Sequence, residues 1–198
     1  ITAHFDHLGV RDGQIFNGAD DNASGVAAML AVAARLSANP PEHSMVLAAL
    51  DAEESGLNGS QAFLKDPPVA RDAIVMNVNL DMVARDAKDV LFASGTSHYP
   101  FLKAYLKDVA RPPVVLRYGH DRPNVKGEAD WTRDSDQYPF HQAGIPFVYF
   151  GVEDDEEHHR ATDDAGTVTK AFFIGAANTI LAAIRAFDAN LEAIGARR

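Results

Sequence analysis

SMVLAALDAEESGLNGS, residues 44–60, combines an apolar run with two acidic side chains at its end. Residues 45–50 are too short a run for a typical helix, and they predict a strand buried on both faces. Glu53 and Glu54 follow the carboxyl end of that strand, which is where ligands bind in open α/β sheets. One carboxylate of such a pair can coordinate a metal while the other acts as a general base. A Glu-Glu pair alone is more often a solvated turn, so the interpretation depends on the rest of the chain.

Length and charge limit the classes of function. The chain has 198 residues, enough for one domain with a sizeable core. Its 28 acidic and 18 basic side chains give a formal net charge of −10, which argues against nucleic acid or an anionic membrane as the main partner. Because there is no cysteine, any metal must be held by His, Asp and Glu. Charges interrupt every apolar run, so no transmembrane segment is predicted.

Two further apolar segments end on groups that can bind a metal. Residues 1–5 are typical of a strand with His4 and Asp6 at its end, and residues 73–80 predict a strand followed by Asp81. Side chains two residues apart share one face of a strand, so Asp6 could orient His4 on a metal. Each pattern alone also fits an ordinary polar strand end. Its occurrence at three successive strands predicts a common site at one edge of the sheet.

An Asp/Asn cluster precedes the first long helix. Residues 18–25 read GADDNASG, and the Ala-rich segment after them has an apolar surface broad enough for burial against a sheet. Asp, Asn and Ser are favoured helix caps, which would explain one such residue. Two Asp and one Asn here, with a Glu pair after the next strand, exceed what capping explains. We therefore count Asp21 among the candidate ligands.

The last predicted strand leads into charged residues. Residues 145–150 form that strand, the acidic loop VEDDEE follows at 152–157, and His158 and His159 come next. Five consecutive carboxylates are normally a solvated run, whereas two histidines after a buried strand are less usual. His43, in a Pro-rich loop, is interpreted as solvated. Residues 99–110 and 171–194 have helical spacing, and the polar loop 117–130 is expected at the rim of a cleft.

The candidate ligands share a position at a strand end or in the loop beyond it: His4, Asp21, Glu54, Asp81 and His159. Two imidazoles and three carboxylates form a mixed donor set that suits zinc. Five ligands exceed what one tetrahedral zinc uses when a water position stays open. Two metals that share a bridging carboxylate use all five, so the sequence predicts two Zn²⁺ ions.

The motifs, in this order, resemble the co-catalytic zinc aminopeptidases of the bacterial leucyl aminopeptidase type (peptidase clan MH), which are related to glutamate carboxypeptidase and the transferrin-receptor ectodomain. The matching stretches are AHFDHLG (3–9), GADDNASG (18–25), DAEESGLNGS (51–60), NLDM (79–82), SDQYPF (135–140) with GIP (144–146), and HHRATD (158–163). The resemblance implies an α/β fold of the zinc exopeptidase, phosphorylase/hydrolase-like type, with a mixed, mostly parallel β-sheet sandwiched between helices. It implies one catalytic domain over residues 1–198 that lacks the N-terminal helix and strands of its relatives, in a secreted or periplasmic protein.

The same resemblance assigns roles to the ligands. His4 and Asp81 would bind one zinc and Glu54 and His159 the other, with Asp21 bridging them and followed by a cis peptide bond. Glu53 would be the general base. Asp6 and Asp163 would orient His4 and His159.

Three departures from the family pattern affect the substrate contacts. Gln137 stands where His is frequent, His158 stands where Tyr is frequent, and the acidic loop lacks a common His. His158 is either an imidazole donor to the reaction's oxyanion or a surface residue turned away from His159. Phe140, Tyr149 and Phe150 are candidates for a side-chain pocket, with strand packing the alternative for at least half of them.

The predicted reaction removes N-terminal residues from a peptide or aminoacyl substrate with a free N-terminus. The alternatives are glutaminyl cyclisation on one zinc, a carboxypeptidase that would use Arg133 or Arg117 to hold a carboxylate, and a non-catalytic receptor-like binding domain. The oligomeric state is left open.

Overall fold

A computed structural model describes residues 1–153 and 156–197 and contains eight strands and five α-helices. The strands are β1 (Thr2–His4), β2 (Gly9–Arg11), β3 (Gln14–Phe16), β4 (Ala48–Leu50), β5 (Asn77–Leu80), β6 (Val90–Ser94), β7 (Val115–Arg117) and β8 (Phe147–Gly151). The helices are α1 (Gly25–Ala38), α2 (Asn58–Lys65), α3 (Gln137–Gln142), α4 (Lys170–Asp188) and α5 (Leu191–Gly195).

Six of the strands form one sheet in the order β4-β1-β5-β8-β6-β7, and β2 and β3 form a separate hairpin. The neighbours β4, β1, β5 and β8 are all parallel, whereas β6 runs antiparallel to β8 and parallel to β7. The predicted mixed, mostly parallel sheet is therefore confirmed. Its consequence is that four adjacent strands present their carboxyl ends at the same edge.

The two faces of the sheet are covered by different helices. Side chains alternate between the faces of a strand, and Val78, Leu80, Val148 and Phe150 pack in the main core with α1 and α4. The opposite face carries Asn79, whose amide contacts Ser135 and Gln137 beside α3. A smaller apolar cluster on that side joins α2 and α3. The predicted arrangement of a sheet between helices is confirmed.

Local elements differ from the sequence prediction in four places. Residues 99–110 form a 3₁₀ turn at Pro100–Tyr105 instead of a helix, and their apolar spacing reflects burial in the main core. The long C-terminal helix is divided into α4 and α5 around residues 189–190. The strands expected at 45–50 and 73–80 are shortened to β4 and β5, and a 3₁₀ turn at Arg71–Ala73 includes the first residue of the second segment.

Within the described residues, one helix, α4, is long and apolar enough to cross a membrane by length and composition. This is weak evidence for a membrane span, because a core helix of a globular protein passes the same test. Phe172, Ala176, Ile180 and Ala183 of α4 are fully buried in the main core. Packing against the sheet thus accounts for the apolar composition of this helix.

Candidate metal centre

The five predicted ligands lie together at the carboxyl edge of the four parallel strands. His4 ends β1, Asp81 directly follows β5, and Glu54 lies in the loop after β4. His159 lies in the loop after β8, and Asp21 lies in the π-type turn Ala19–Ser24 before α1. The structure therefore brings together groups that are up to 155 positions apart in the chain, between His4 and His159.

Asp21 is at the centre of this group, with one carboxylate oxygen directed to each side. Its Oδ1 lies 3.4 Å from His4 Nε2, which in turn lies 3.3 Å from Asp81 Oδ1. Its Oδ2 lies 3.4 Å from His159 Nε2, which lies 3.1 Å from Glu54 Oε2. The five side chains thus form two sets of donor atoms that share one carboxylate.

The turn that carries Asp21 is fixed by Asp163 and Asn22. The Asp163 carboxylate accepts the backbone N–H of Asp20 at 2.9 Å and that of Asp21 at 3.1 Å. Asn22 donates its amide to the carbonyl of Leu80 at 2.9 Å and accepts the N–H of Gly25 at 2.8 Å. The Asp21–Asn22 peptide bond is cis, as expected from the resemblance. Within the described residues the Asp163 carboxylate contacts the Asp21 turn and Arg85 but not His159, so it orients that turn and not, as expected, His159.

Asp6 orients the Glu pair as well as His4. Its Oδ1 accepts the backbone N–H of Glu53 at 3.0 Å, and its Oδ2 accepts that of Glu54 at 3.2 Å. His4 Nδ1 lies 3.1 Å from the backbone oxygen of Asp6 and 3.5 Å from Oδ1. One side chain at the end of β1 therefore fixes the loop after the neighbouring strand β4.

The site carries more negative than positive charge. Burial would lower the pKa of His4, but the charge of Asp81 and a hydrogen bond with Asp21 raise it to about 12. Burial would raise the pKa of Asp21, but hydrogen bonds from His159 and His4 hold it well below its usual range. The hydrogen bond with Asp21 also raises the pKa of His159. The neighbouring carboxylates therefore favour the protonated form of both imidazoles. A divalent cation bound between these groups would be stabilised by the same negative charges.

Glu53 lies on the His4 side of the site. One of its oxygens is within 4.8 Å of donor atoms of His4 and Asp81. Burial and the charge of Asp81 raise the pKa of Glu53 to about 9, against the opposing effect of His4. The buried Asp136 adds to that increase, and burial raises the pKa of Asp136 itself to about 6. A nearby cation would lower the pKa of Glu53 and favour its ionised form.

His158 and His159 lie side by side at the mouth of the site. The centres of their rings are 4.0 Å apart. Both Nε2 atoms lie near Asp21 Oδ2, at 3.6 Å for His158 and 3.4 Å for His159. The expectation that a surface His158 would turn away from His159 is wrong, because strand alternation does not apply within this turn. Their side chains are 48% and 46% exposed, so both reach solvent. Asp154 and Asp155 of the predicted acidic loop lie outside the described residues.

Comparison with known proteins assigns the chain to a family. Residues 1–184 match Peptidase family M28. The chain belongs to peptidase family M28. "Probable glutamate carboxypeptidase VP8" of Zea mays is 34% identical in a 171-position alignment that covers 77% of this chain and 23% of that protein. "Aminopeptidase YwaD" of Bacillus subtilis is 28% identical in a 198-position alignment that covers 93% of this chain and 40% of that protein. The M28 chain thus spans less than half the length of either relative.

Solved structures show the same fold. A zinc aminopeptidase from Bacillus subtilis, BSAP, has a TM-score of 0.70 and 25% identity, and the match covers 95% of this chain and 45% of that one. A glutaminyl cyclase from Bacteroides thetaiotaomicron has a TM-score of 0.72 and 21% identity, covering 93% of this chain and 71% of that one. At 21% identity, the similarity to the glutaminyl cyclase shows only that the fold is shared.

Two residues at the candidate metal centre are not among those predicted from the sequence. His7 lies against Glu54 and Asp21, although it is part of the quoted motif AHFDHLG. Asp136 is fully buried behind Glu53, although Ser135-Asp136-Gln137 was recognised as part of the pattern. Both residues are titratable and lie inside motifs that carry the family resemblance, and this position is the feature of the sequence that could have identified them.

The aromatic residues predicted for a substrate pocket have different positions. Phe140 lies in the small cluster between α2 and α3, and Phe150 lies in the main core, so packing is the role of both. Tyr149 is close enough to the site that burial and the charges of Asp81, Asp21 and Glu53 raise its pKa well above the usual value. Gln137 is fully buried and donates to the carbonyl of Trp131 at 2.7 Å.

Proposed function

We propose that this chain is the catalytic part of a two-zinc exopeptidase that removes N-terminal residues from peptides. The observation that carries the proposal is the position of Asp21, whose two oxygens face separate sets of donor atoms. Membership of peptidase family M28 supports it. His4 and Asp81 would hold one zinc, Glu54 and His159 the other, and Asp21 would bridge them. When bound, two such ions lower the pKa of a coordinated water towards about 7 and polarise a carbonyl group.

Glu53 is the proposed general base. Its backbone is fixed by Asp6, and its carboxylate lies beside the His4–Asp81 set, on the side where a water would be activated. Glu53 would take the proton of the attacking water and later deliver it to the leaving amine, which is the usual division of labour for one carboxylate in two steps. Glu54, its neighbour in sequence, is turned to His159 and remains a ligand.

His158 is the proposed hydrogen-bond donor to the oxyanion of the tetrahedral intermediate. Its Nε2 lies 3.6 Å from Asp21 Oδ2, so the imidazole reaches the site while nearly half of its surface remains exposed. An N–H group directed at developing negative charge stabilises a transition state. The phenol of Tyr149, which lies near the carboxylates of the site, is a second candidate donor.

The proposed substrate is a peptide or aminoacyl compound with a free N-terminus. The excess of carboxylates at the site and the net charge of −10 favour a cationic α-ammonium group. The alternative is a carboxypeptidase, which the 34% identical maize relative supports. Arg133, whose guanidinium lies 5.5 Å from the centre of the Tyr138 ring, and Arg117 on β7 remain the candidates for holding a C-terminal carboxylate. Action outside the cytoplasm stays a proposal by family resemblance.

Hydrolysis of a substrate panel tests this proposal. The panel contains aminoacyl derivatives and short peptides, each with a free N-terminus, a blocked N-terminus or a blocked C-terminus, assayed with and without a chelator. We expect chelator-sensitive cleavage that needs the free N-terminus and tolerates a blocked C-terminus. Cleavage that needs a free C-terminus would show a carboxypeptidase. Cyclisation of N-terminal Gln without hydrolysis, on a single zinc, would contradict the proposal.

A further inference from the structure

His7 places a second buried imidazole, besides that of His4, at the metal centre. We propose that His7 is a further metal ligand, through Nδ1, and that it completes a second metal position formed with Asp21, Glu54 and His159. This inference rests on the proposed function, because it concerns one of the two metal positions. It adds a ligand to the five selected from the sequence pattern.

The distances around His7 are those of ligands on a shared ion. His7 Nδ1 lies 2.9 Å from Glu54 Oε1 and 3.7 Å from Asp21 Oδ2. On the other side of the same two carboxylates, His159 Nε2 lies 3.4 Å from Asp21 Oδ2 and 3.1 Å from Glu54 Oε2. Zinc ligands about 2.0–2.1 Å from the ion in a tetrahedron are separated from one another by distances of this size. The two imidazoles thus approach different oxygens of Glu54, and their ring centres are 5.9 Å apart.

The contact between His7 and Glu54 is not a hydrogen bond. The two side chains are only 7% and 9% exposed, and His7 Nδ1 and Glu54 Oε1 make no hydrogen bond within residues 1–153 and 156–197. Buried polar atoms left without a partner cost about 1–3 kcal/mol each, so such atoms in a native fold require an explanation. Because no hydrogen bond uses them, the lone pairs of both atoms are available to a metal ion. A cation bound between them would satisfy both.

Gly18 makes room for the His7 ring. A Cβ at position 18 would lie 2.6 Å from His7 Cγ and 2.2 Å from the backbone oxygen of Asp21. Gly18 also has a φ of 63°, which strains other residues. The turn that carries Asp21 therefore accommodates this imidazole closely, so the position of His7 is built into the fold.

The additional ligand makes the two metal positions unequal. The first would have three protein ligands, His4, Asp81 and Asp21, and the second would have four, His7, Glu54, His159 and Asp21. The second position would thus have one more protein ligand than the first, and Glu53 lies on the side of the first.

Zinc titration of the purified protein and of His7→Asn tests the assignment. Asn keeps the size and polarity near Nδ1 but is a poor zinc ligand. We expect the wild type to bind two Zn²⁺, and His7→Asn to bind the first normally and the second more than about 100-fold more weakly, beyond the 10–100-fold that loss of an outer-shell partner costs. His98→Asn is the matched control, because the half-buried His98 contacts Thr132 away from the site. A decrease of about 100-fold or less in His7→Asn would overturn the inference.

A second measurement on the wild-type protein gives a result that does not depend on how a variant folds. In the wild-type protein loaded with Co²⁺, imidazoles bound to the metal give paramagnetically shifted exchangeable N–H signals in the proton NMR spectrum. We expect three such signals, one of which disappears in His7→Asn and none in His158→Asn. Two signals in the wild type would overturn the inference while leaving the two-metal proposal intact. A wild type that binds fewer than two ions would contradict the proposed function as well.

Discussion

Two histidine–carboxylate pairs of similar length lie at different places in this fold. His43 Nδ1 is 3.1 Å from Asp188 Oδ1 at the end of α4, and His7 Nδ1 is 2.9 Å from Glu54 Oε1 at the metal centre. The Asp188 carboxylate is fully used, because it also accepts the backbone N–H of Glu42 at 2.8 Å and that of His43 at 3.0 Å. Glu54 Oε1 makes no hydrogen bond within the described part of the chain.

The difference between these pairs separates a structural contact from a binding site. At Asp188 every interaction is internal, and the result is a link between the loop before β4 and the last turn of α4. At the metal centre, the buried atoms His7 Nδ1 and Glu54 Oε1 lie 2.9 Å apart and have no hydrogen-bond partner among the described residues. Both places have a histidine–carboxylate pair at a similar distance, so the number of hydrogen bonds that the buried atoms make is what distinguishes the site.

Glu53→Gln should produce the largest effect. Gln keeps the shape of the side chain but cannot accept a proton, and general acid–base groups typically contribute about 10²–10⁴-fold to the rate. We expect kcat to fall by that amount while zinc content stays at the wild-type level, as measured by steady-state kinetics and elemental analysis.

Two neighbouring substitutions control for this result. Glu54→Gln should lower zinc content, since Glu54 is a proposed ligand, and Asp188→Asn should leave kcat unchanged, since Asp188 lies at the structural pair. A Glu53→Gln protein with nearly normal kcat would show that the base is a different residue.

His158→Ala should have the next largest effect, on the exposed side of the site. Loss of an oxyanion donor costs about 10²–10³-fold in kcat, and we expect about 10²-fold with zinc content unchanged. A decrease of less than about threefold would show that His158 has no such role and that Tyr149 or the metal alone stabilises the intermediate.

Asp163→Asn should weaken metal binding without touching a ligand. Asp163 accepts two backbone N–H groups of the turn that carries Asp21, and its removal leaves that turn less well fixed. We expect zinc affinity to fall by about 10–100-fold, the range typical of residues that orient ligands. Zinc titration measures this change, and an unchanged affinity would show that the cis turn is held by Asn22 alone.

Asp188→Asn should have the smallest effect, and only on stability. Burial would raise the pKa of Asp188, but its hydrogen bonds with Glu42 and His43 lower it. A lowered folded-state pKa contributes stability above the ordinary carboxyl pKa of about 3.9, and that contribution is lost as the pH falls through the folded value. We expect the variant to lose about 1–3 kcal/mol of unfolding free energy at pH 7, and the difference from wild type to shrink below about pH 4. Urea unfolding at several pH values measures it, and a difference independent of pH would contradict this explanation.

Strand positions and the groups directly after strands could be predicted from the sequence. His4 and Asp81 are set by apolar runs of strand length, and the parallel pairing of β1 and β5 brings them together. Asp21 required the family motif, because a turn before a helix is also explained by capping.

Contacts made by loops could not be predicted in the same way. The positions of His7, His158 and Asp163 depend on turns whose paths are set by tertiary hydrogen bonds, such as that of Asp163 with Asp20. His43 shows the same limit, because its solvated interpretation was wrong and its partner Asp188 is 145 positions away. Periodicity reports the burial of regular elements and contains no information on which loop residues meet.

A crystal structure of the zinc-loaded protein, with an anomalous difference map at the zinc edge, tests the central claim most directly. We predict two peaks about 3.5–4 Å apart, bridged by Asp21, with His4 and Asp81 on one and Glu54 and His159 on the other. A single peak, or two peaks that do not share Asp21, would contradict the account.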